Sequence, residues 1–313
     1  MFKNKKDDIK VAVLLPCYNE EMTIEKVIKD FKNVLPDATI YVCDNNSKDK
    51  SVELALKAGA VVMHEYKQGK GNVMRKMFRE IDADIYLIND SDDTYPAYHA
   101  KEMVNIIIEG KADMVIGDRL SSTYFTENKR LFHNFGNRLV RFLINLLFKC
   151  NVRDIMTGYR AFTREFVKSF PVLSKGFAIE TEMTIHAADK NFLIKEVLVD
   201  YKDRPEGSVS KLNTVKDGIK VMKTIGTLFK DYKPFAFFSI LSLLTFLISL
   251  CFGIPVVIEY FNTGIVPRFP TLIVSGVLLI IALLLFVTGL ILDVIVRKHK
   301  QLYELILTQN RYL

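Results

Sequence analysis

The stretch that decides the fold is residues 85–93, which read IYLINDSDD. A short apolar, β-prone segment ends here in three carboxylates, those of Asp90, Asp92 and Asp93. Clustered acids repel each other and cost free energy when they are desolvated, so this ending does not serve the stability of a buried strand. Carboxylate oxygens are the ligands that Mg²⁺ and Mn²⁺ prefer, and these ions are often shared with substrate phosphates. The Asp-x-Asp pattern therefore indicates a nucleotide-diphosphate site, with a solvated acidic turn that caps the next helix as the alternative.

Strand and helix signals alternate on both sides of this stretch. Apolar runs typical of strands occupy residues 10–15, 39–43, 60–64, 85–88 and 114–117, and helical spacing occupies 20–35, 51–58 and 72–81. The alternation predicts an α/β fold with a parallel sheet covered by helices on both faces. Ligands of such sheets bind where the carboxyl ends of the strands meet the loops. The polar residues at these ends are Asp44, Asp90, Asp92 and Arg119.

Composition and charge limit the class of protein. A chain of 313 residues, half of them hydrophobic, is long enough for one large domain and an accessory part. The net charge of +7 fits nucleic acid, an anionic membrane surface or an anionic substrate, and the placement of the basic residues favours the membrane over nucleic acid. The four cysteines and five histidines show no metal-ligand spacing, which argues against zinc and indicates reduced cysteines. The charged N-terminus lacks the apolar core of a signal peptide.

Two segments near the C-terminus are apolar for long enough to span a bilayer. They run from about 235 to 258 and from about 272 to 296, and ~20 residues suffice to cross ~30 Å of hydrocarbon. Basic residues flank the outer ends of this hairpin, at Lys230, Lys233, Arg297, Lys298 and Lys300, whereas the link carries only Arg268. The positive-inside rule then places both termini and the N-terminal domain in the cytoplasm, with the hairpin in the plasma (inner) membrane. The alternative is a buried helical hairpin of a soluble core.

These signals divide the chain into four parts. We expect a cytoplasmic domain over 1–210, an amphipathic helix and linker over 211–233, two transmembrane helices within 234–297, and a cytoplasmic tail over 298–313. Basic and apolar residues mix at helical spacing in 137–149 and again in 215–230. Helices of this kind lie in the plane of an anionic membrane surface, and packing against the globular domain is the alternative. The sequence leaves open whether the chain forms a homo-oligomer.

Seven short motifs follow one another along the chain. They are PCYNE (16–20), DNNS (44–47), GKG (69–71), DSD (90–92), GDR (117–119), DIMTGYR (154–160) and RPEGSVSK (204–211). This order resembles the family 2 glycosyltransferases, and more closely the branch that loads sugars onto polyprenyl phosphate. That branch includes dolichol-phosphate mannose synthases and bacterial undecaprenyl-phosphate glucosyltransferases. The resemblance covers about residues 9–230 and implies a GT-A (Rossmann-like) nucleotide-sugar domain with catalytic activity.

The resemblance implies a site for a nucleotide diphosphate sugar. The residues expected to form it are Pro16, Tyr18, Glu20, Asp44, Lys70, Asp90, Ser210 and Lys211. Tyr18 would stack on the base, Glu20 would accept from ribose hydroxyls, and Asp44 would read the nucleobase. Asp90 and Asp92 would bind Mg²⁺ or Mn²⁺, which neutralises the departing diphosphate.

Three residues on the donor side, Lys70, Asp93 and Arg204, have alternative or different roles. A solvated lysine in a turn is the alternative for Lys70. Helix capping is the role expected for Asp93. Arg204 opens a segment, continuing through Ser210 and Lys211, that resembles a lid closing over the donor diphosphate, with an ordinary basic linker as its alternative.

Two arginines are expected to hold the acceptor phosphate. Arg119 and Arg130 fit this role because guanidinium matches phosphate bidentately. Mannose synthases carry a serine four residues after the second arginine, and here that position is Asn134, which keeps a polar contact. Asp154 is a candidate for orienting the acceptor or the sugar. The expected catalytic set is therefore Asp92, Arg119 and Asp154.

The resemblance implies an inverting reaction that needs no strong base. A polyprenyl phosphate oxygen is already anionic near neutral pH, so it can attack the sugar carbon directly and give a β-linked product for cell-envelope glycans. UDP-glucose or UDP-N-acetylglucosamine is the expected donor, ahead of GDP-mannose. One alternative is transfer to the hydroxyl of a lipid-linked sugar, with Asp154, Glu180 or Glu182 as base. Another is a non-catalytic membrane-anchored scaffold. A processive polysaccharide synthase is disfavoured, because the chain has no tryptophan for the Gln-x-x-Arg-Trp motif.

Overall fold

The structure, a computed structural model, describes two compact units. Its described residues are 9–121, 131–174, 176, 178–205 and 214–311. The units are Met1–Ile225, which contains a β-sheet flanked by helices, and Gly226–Leu313, which is helical.

The described part of the first unit contains one seven-stranded sheet. Its strands are β1 (Val11–Cys17), β2 (Thr39–Asp44), β3 (Val61–His64), β4 (Ile85–Ile88), β5 (Met114–Asp118), β6 (Arg160–Thr163) and β7 (Ile194–Leu198). They lie in the order β3-β2-β1-β4-β6-β5-β7. Strand β6 runs antiparallel to both β4 and β5, whereas the other pairs are parallel. The predicted α/β class is confirmed, and the five strands that the sequence predicted run parallel to one another, while the sheet also contains the antiparallel strand β6.

Helices connect and cover the strands. In chain order they are α1 (Ile24–Val34), α2 (Ser51–Lys57), α3 (Lys70–Glu80), a 3₁₀ turn (Ala97–His99), α4 (Ala100–Ile108), α5 (Leu131–Phe148), α6 (Arg164–Ser169), α7 (Ile179–Asp189), α8 (Thr214–Tyr232), α9 (Pro234–Thr263) and α10 (Phe269–Arg311). Each strand and helix that the sequence predicted up to residue 117 is present within a few residues of its expected bounds.

The core explains why the sequence gives these elements. Strand β4 is buried at all four positions, which suits an unbroken apolar run in a sheet covered on both faces. Helix α1 turns Ile24, Val27, Ile28 and Phe31 into the core, because positions three and four apart lie on one face. This packing holds the parallel strands in place, with their carboxyl ends at one edge of the sheet.

The second unit contains a helical hairpin formed by α9 and α10. Both helices are long and apolar enough to cross a membrane. Ser242 Oγ donates to the carbonyl oxygen of Ala282 at 2.7 Å, and Ser249 Oγ donates to that of Ser275 at 2.8 Å. These small polar side chains let the helices approach closely while each hydroxyl keeps an acceptor in an apolar setting. The predicted segments, 235–258 and 272–296, fall inside α9 and α10, and α10 continues well past the second of them.

Candidate active site

The strand ends bring the candidate residues to one edge of the sheet. Asp44 is the last residue of β2, and Asp90 follows β4 by two positions. Arg119 follows directly after β5. Because β6 is reversed, the segment that precedes it, including Asp154, reaches the same edge. The sheet topology therefore brings these side chains together at the carboxyl ends of the parallel strands, as the sequence predicts.

Lys70 lies between two carboxylates. It is the first residue of α3, and its Nζ donates to Asp90 Oδ1 at 2.5 Å and lies 2.7 Å from Glu180 Oε1. Burial opposes its charge, but the two carboxylates together raise the pKa of Lys70 above its ordinary value. The lysine is therefore a largely buried, charged group that holds Asp90, and the alternative of a solvated lysine in a turn is wrong.

Arg204 pairs with the second acid of the motif. Its guanidinium donates to Asp92 Oδ2 and, at 3.4 Å, to Glu20 Oε1. Asp92 also accepts from the Thr94 hydroxyl at 2.6 Å. Burial raises the pKa of Asp92, and the charge of Asp90 raises it further, while Arg204 opposes both effects. Arg204 therefore neutralises an acid that would otherwise resist ionisation.

Asp93 differs from its two neighbours in the motif. Its φ of 59° turns it into the left-handed region, and its Oδ1 accepts from Lys26 Nζ at 2.6 Å. The N-cap position of the 3₁₀ turn that follows is Pro96, and no side chain donates or accepts a capping hydrogen bond there. Helix capping by Asp93 is therefore wrong, because its carboxylate is engaged by a lysine of α1.

The pair Asp90 and Asp92 suits a divalent cation only together with further ligands. Within the described residues, no group of three or more His, Cys, Asp or Glu side chains is placed to hold a metal ion. Mg²⁺ typically takes one or two carboxylates and completes its shell with water and substrate phosphates. The cluster contains four carboxyl groups and two cations, so its formal charge is −2, which a divalent ion would balance. The six residues are Glu20, Lys70, Asp90, Asp92, Glu180 and Arg204.

Arg119 and Asp154 form a second, buried ion pair. Arg119 Nε donates to Asp154 Oδ2 at 2.9 Å, and Nη1 donates to the Tyr95 hydroxyl at 3.0 Å. The Tyr201 ring lies 5.7 Å from the guanidinium carbon. Burial raises the pKa of Asp154, and the charge of Arg119 opposes that rise. The contact orients Arg119, which gives Asp154 a definite structural role.

A buried arginine holds the loop that carries Asp154. Arg160 is fully buried and donates to the carbonyl oxygens of Thr157 at 3.1 Å and Ile155 at 2.5 Å. It also donates to the Thr184 hydroxyl at 2.9 Å. Burial lowers the pKa of Arg160 to about 10, so it is still charged at neutral pH. Its donors fix the segment between Asp154 and β6.

The turn that contains Asn19 and the turn that follows β2 are tied to each other by hydrogen bonds. Asn19, with φ 52°, donates its backbone N–H to Ser47 Oγ at 2.9 Å and accepts from the Lys48 N–H at 2.8 Å. Asp44 is buried and accepts from the Ser47 N–H at 3.1 Å. These hydrogen bonds hold together the two loop segments that contain Tyr18 and Asp44.

Not every predicted residue lies in the described part of the chain. The predictions for Arg130, Ser210, Lys211 and the side chain of Asn134 lie outside it. Conversely, sequence reasoning missed Tyr95 as a partner of Arg119 and weighed Glu180 only as a base. It quoted Gly158 within a motif without a role, yet a Cβ there would lie 2.8 Å from Asp90 Cγ. Only the motif itself gave a signal for Gly158.

Comparison with known proteins agrees with this architecture. The model of the family "Glycosyl transferase family 2" matches residues 12–170. Glycosyltransferase AglJ of Haloferax volcanii is 32% identical over 293 residues, which cover 93% of this chain and 95% of the relative. The chain belongs to glycosyltransferase family 2.

The chain is also similar to a second curated protein and to solved structures. A protein of Haloferax volcanii named dolichyl-phosphate hexose transferase is 30% identical over 70% of this chain and 92% of its own length. Glucosyl-3-phosphoglycerate synthase of Mycobacterium tuberculosis, solved with uridine diphosphate, superposes with a TM-score of 0.60 at 21% identity, covering 72% of this chain and 81% of that one. The same enzyme solved with Mn²⁺, uridine diphosphate and its product gives a TM-score of 0.57. These superpositions confirm the GT-A fold.

Proposed function

We propose that this glycosyltransferase moves a hexose from a nucleotide diphosphate sugar to polyprenyl phosphate, with inversion. The observation that carries the proposal is the position of Arg119, a buried guanidinium, at the same sheet edge as Asp90 and Asp92. One group suits a lipid phosphate and the other suits a metal-bound diphosphate. The name of the dolichyl-phosphate hexose transferase supports the acceptor class, and the bound uridine diphosphate of the structural neighbour supports the donor class.

On the donor side, each strand end takes a separate part of the nucleotide sugar. Tyr18 stacks on the base, Asp44 reads it, and Glu20 accepts from the ribose, with Pro16 shaping the turn. The diphosphate lies near Lys70, Asp90, Ser210 and Lys211. Asp90 and Asp92 hold Mg²⁺ or Mn²⁺, which when bound supplies positive charge to the leaving diphosphate. UDP-glucose and UDP-N-acetylglucosamine are the proposed donors.

On the acceptor side, the lipid phosphate is held by Arg119, Arg130 and Asn134. The phosphate oxygen is already an anion, so the chain needs to position it rather than deprotonate it. Asp154 fixes the guanidinium of Arg119 and thereby the direction of its donors. The product is a β-linked lipid-phosphate sugar for cell-envelope glycan assembly.

The rival acceptor, a sugar hydroxyl, needs a carboxylate base, and the three candidates are all engaged elsewhere. Asp154 pairs with Arg119, and Glu180 pairs with Lys70. The carboxylate of Glu182 accepts from the backbone N–H groups of residues 173 and 174 at 2.9 and 2.8 Å. These contacts favour the phosphate acceptor over the hydroxyl acceptor.

The membrane is the proposed location of both the enzyme and its lipid substrate. Helices α9 and α10 span the plasma membrane, with both termini and the catalytic domain in the cytoplasm. Helix α5 buries Val140 and Ile144 but exposes Leu139, Phe142 and Leu146. This exposed apolar face, with the basic Arg138 and Lys149 at its ends, suits the headgroup region of an anionic bilayer, and so does the basic helix α8. A cysteine introduced at Asn262, in the last turn of α9 next to the link between the two helices, tests the topology. We expect a thiol reagent that cannot cross the membrane to label this cysteine when it is added outside intact spheroplasts.

A transfer assay tests the function. The purified full-length protein is incubated with undecaprenyl phosphate, Mg²⁺ or Mn²⁺ and a panel of nucleotide sugars. We expect product with the parent protein and a loss of at least about 100-fold with Asp92→Asn, because the metal-binding charge is removed. Asp93→Asn is the matched control, since Asp93 contacts Lys26 instead, and it keeps activity. No product from the parent defeats the proposal and leaves the scaffold alternative. Equal product from Asp92→Asn defeats the metal-binding role proposed for Asp92.

A further inference from the structure

The guanidinium of Arg204 contacts two carboxylates that have separate roles in the proposed donor site. It donates to Asp92 Oδ2, the proposed metal ligand, and at 3.4 Å to Glu20 Oε1, the proposed partner of the ribose. Both acids are buried, with 7% of Asp92 and 8% of Glu20 exposed. One side chain therefore occupies the acid proposed for the metal ion and the acid proposed for the nucleoside.

Both carboxylate oxygens of Asp92 already have partners. Oδ1 accepts from the Thr94 hydroxyl at 2.6 Å and from the Thr94 N–H at 3.3 Å, and Oδ2 accepts from Arg204. A guanidinium and a divalent ion at one oxygen repel each other, because like charges a few ångström apart interact strongly in a buried site. A metal ion that binds Oδ2 must therefore displace Arg204.

Arg204 is the more displaceable of the two cations that pair with the Asp-x-Asp motif. The other cation, Lys70, is the first residue of α3, and its side chain is 11% exposed, whereas that of Arg204 is 23% exposed. The Lys202 N–H donates to the carbonyl oxygen of Thr94 at 2.9 Å, so the backbone is anchored two residues before Arg204. The Arg204 side chain can therefore move without disturbing a helix or a strand.

We infer that Arg204 is a displaceable counter-ion that occupies Asp92 and Glu20 until a metal ion and a nucleotide bind together, and that it thereby makes their binding interdependent. This inference rests on the proposed function. A metal ion alone must break the contact with Asp92, and a nucleoside alone must break the contact with Glu20. In each case the guanidinium loses a partner and gains none.

A nucleoside diphosphate with its metal ion changes this balance. It breaks both contacts of Arg204 but brings phosphate oxygens, which match a guanidinium bidentately. The exchange is therefore favourable only for the complete ligand. Arg204 acts as a specificity-determining residue that selects the metal–nucleotide complex over either of its parts.

Binding of the separate parts to the full-length protein tests this role. Mn²⁺ alone is followed by the electron paramagnetic resonance of the free ion, and uridine and guanosine alone are followed by calorimetry. We expect Arg204→Gln to bind Mn²⁺ at least about 10-fold more tightly than the parent, which corresponds to ~1.4 kcal/mol, and the preferred nucleoside at least about 3-fold more tightly. An arginine that contacts only the diphosphate would leave both affinities unchanged. No gain for either ligand overturns the inference.

Two features protect this experiment from other causes. A misfolded variant loses affinity, so a gain does not arise from damage to the fold, and Arg204→Met should show the same gains as Arg204→Gln. The measurements are made at about pH 8, because removal of the arginine favours proton uptake by the buried Asp92 carboxyl and a higher pH opposes it.

The interdependence is also measured directly. In the parent, the preferred diphosphate, UDP or GDP, raises the affinity for Mn²⁺, and Mn²⁺ raises the affinity for the diphosphate by the same factor. We expect this factor to shrink at least about 10-fold in Arg204→Gln, because no guanidinium remains to be displaced. An unchanged factor contradicts the inference.

A lysine on the same segment provides the matched control. Lys202 is exposed and lies two residues before Arg204, so Lys202→Gln removes the same charge nearby without touching Asp92 or Glu20. This variant should keep the parental affinities within about 2-fold, which is under ~0.5 kcal/mol. An equal gain in Mn²⁺ affinity for Lys202→Gln and Arg204→Gln would assign the effect to overall charge and overturn the inference. A parent that binds neither diphosphate with Mn²⁺ refutes the proposed function itself, whereas a parent that binds one, without gains in Arg204→Gln, refutes only the role of Arg204.

Discussion

A single methyl group at Gly158 is expected to displace Asp90. A Cβ built there lies 2.8 Å from Asp90 Cγ and 2.9 Å from Oδ1. Non-bonded carbon atoms settle at about 3.5–4.0 Å, so one partner must move by about 1 Å. The backbone of residue 158 has little freedom, because Arg160 donates to the carbonyl of Thr157 and the Gly117 N–H donates to that of Tyr159. Asp90 therefore moves in Gly158→Ala.

The magnitude follows from that displacement. Turning a side chain about 30° off its rotamer costs about 0.5–1.5 kcal/mol, so the fold survives. A shift of about 1 Å in a site residue can lower the rate up to about 100-fold. The thermal midpoint of Gly158→Ala consequently stays within a few degrees of the parent while sugar transfer collapses. Initial rates at saturating Mn²⁺, with melting curves on the same preparations, measure both quantities.

A second glycine provides the control for this experiment. A Cβ at Gly176 meets no atom within 4 Å, so Gly176→Ala should transfer sugar at the parental rate. The effect of Gly158→Ala should also vanish in an Asp90→Ala background, since the displaced side chain is then absent. Parental activity of Gly158→Ala alone would show that the loop relaxes away from Asp90, and would refute the reasoning.

Three further results are expected. Burial among aromatic rings lowers the pKa of His186 to about 3, so the unfolded chain takes up its proton first. Stability should therefore fall by up to about 1.4 kcal/mol per pH unit as pH drops below 6.5, and His186→Leu should flatten that melting profile. Lys70→Met should lower stability by about 3 kcal/mol, because it leaves two partly or fully buried carboxylates without their cation, and adding Glu180→Gln should recover part of the loss; no recovery would contradict the pairing. Phe142→Ser should slow transfer to long polyprenyl phosphate in anionic vesicles about 30-fold, without affecting a short soluble acceptor, because about 2 kcal/mol of apolar contact with lipid is lost. Leu193→Ser is the control, because the Leu193 side chain is 59% exposed and that of Phe142 is 61% exposed. This variant should behave as the parent in both assays.

Local patterns in the sequence were sufficient for the first half of the domain. The unbroken apolar run of β4 and the spacing of Ile24, Val27, Ile28 and Phe31 each follow from one short stretch of chain. The same patterns place the acids of the Asp-x-Asp motif at a strand end. Because the carboxyl ends of parallel strands share one edge, the sequence was enough to predict that the candidate residues gather at this edge.

Contacts between distant residues were beyond such reasoning. Lys70 and Glu180 are 110 positions apart, and their pairing depends on where α7 packs. The pairing of Arg119 with Asp154 depends on the reversed strand β6, whose four residues are too few to reveal their direction by pattern. In each case a charged side chain that looks solvent-exposed in the sequence finds its partner only when the sheet is assembled.

The reversal of β6 has a consequence for how this enzyme can diversify. Ile116 lies opposite Arg160, and the Gly117 N–H donates to the carbonyl oxygen of Tyr159, so the chain leaves β5 and returns to β6 at neighbouring points. Residues 119–159 are therefore an excursion with adjacent ends, and doubling the length of such a segment costs only about 0.6 kcal/mol in closure entropy. All four residues proposed for the acceptor side, Arg119, Arg130, Asn134 and Asp154, lie on it. We therefore expect that grafting a relative's excursion between β5 and β6 would exchange the proposed acceptor while leaving unchanged the strands that we propose bind the nucleotide.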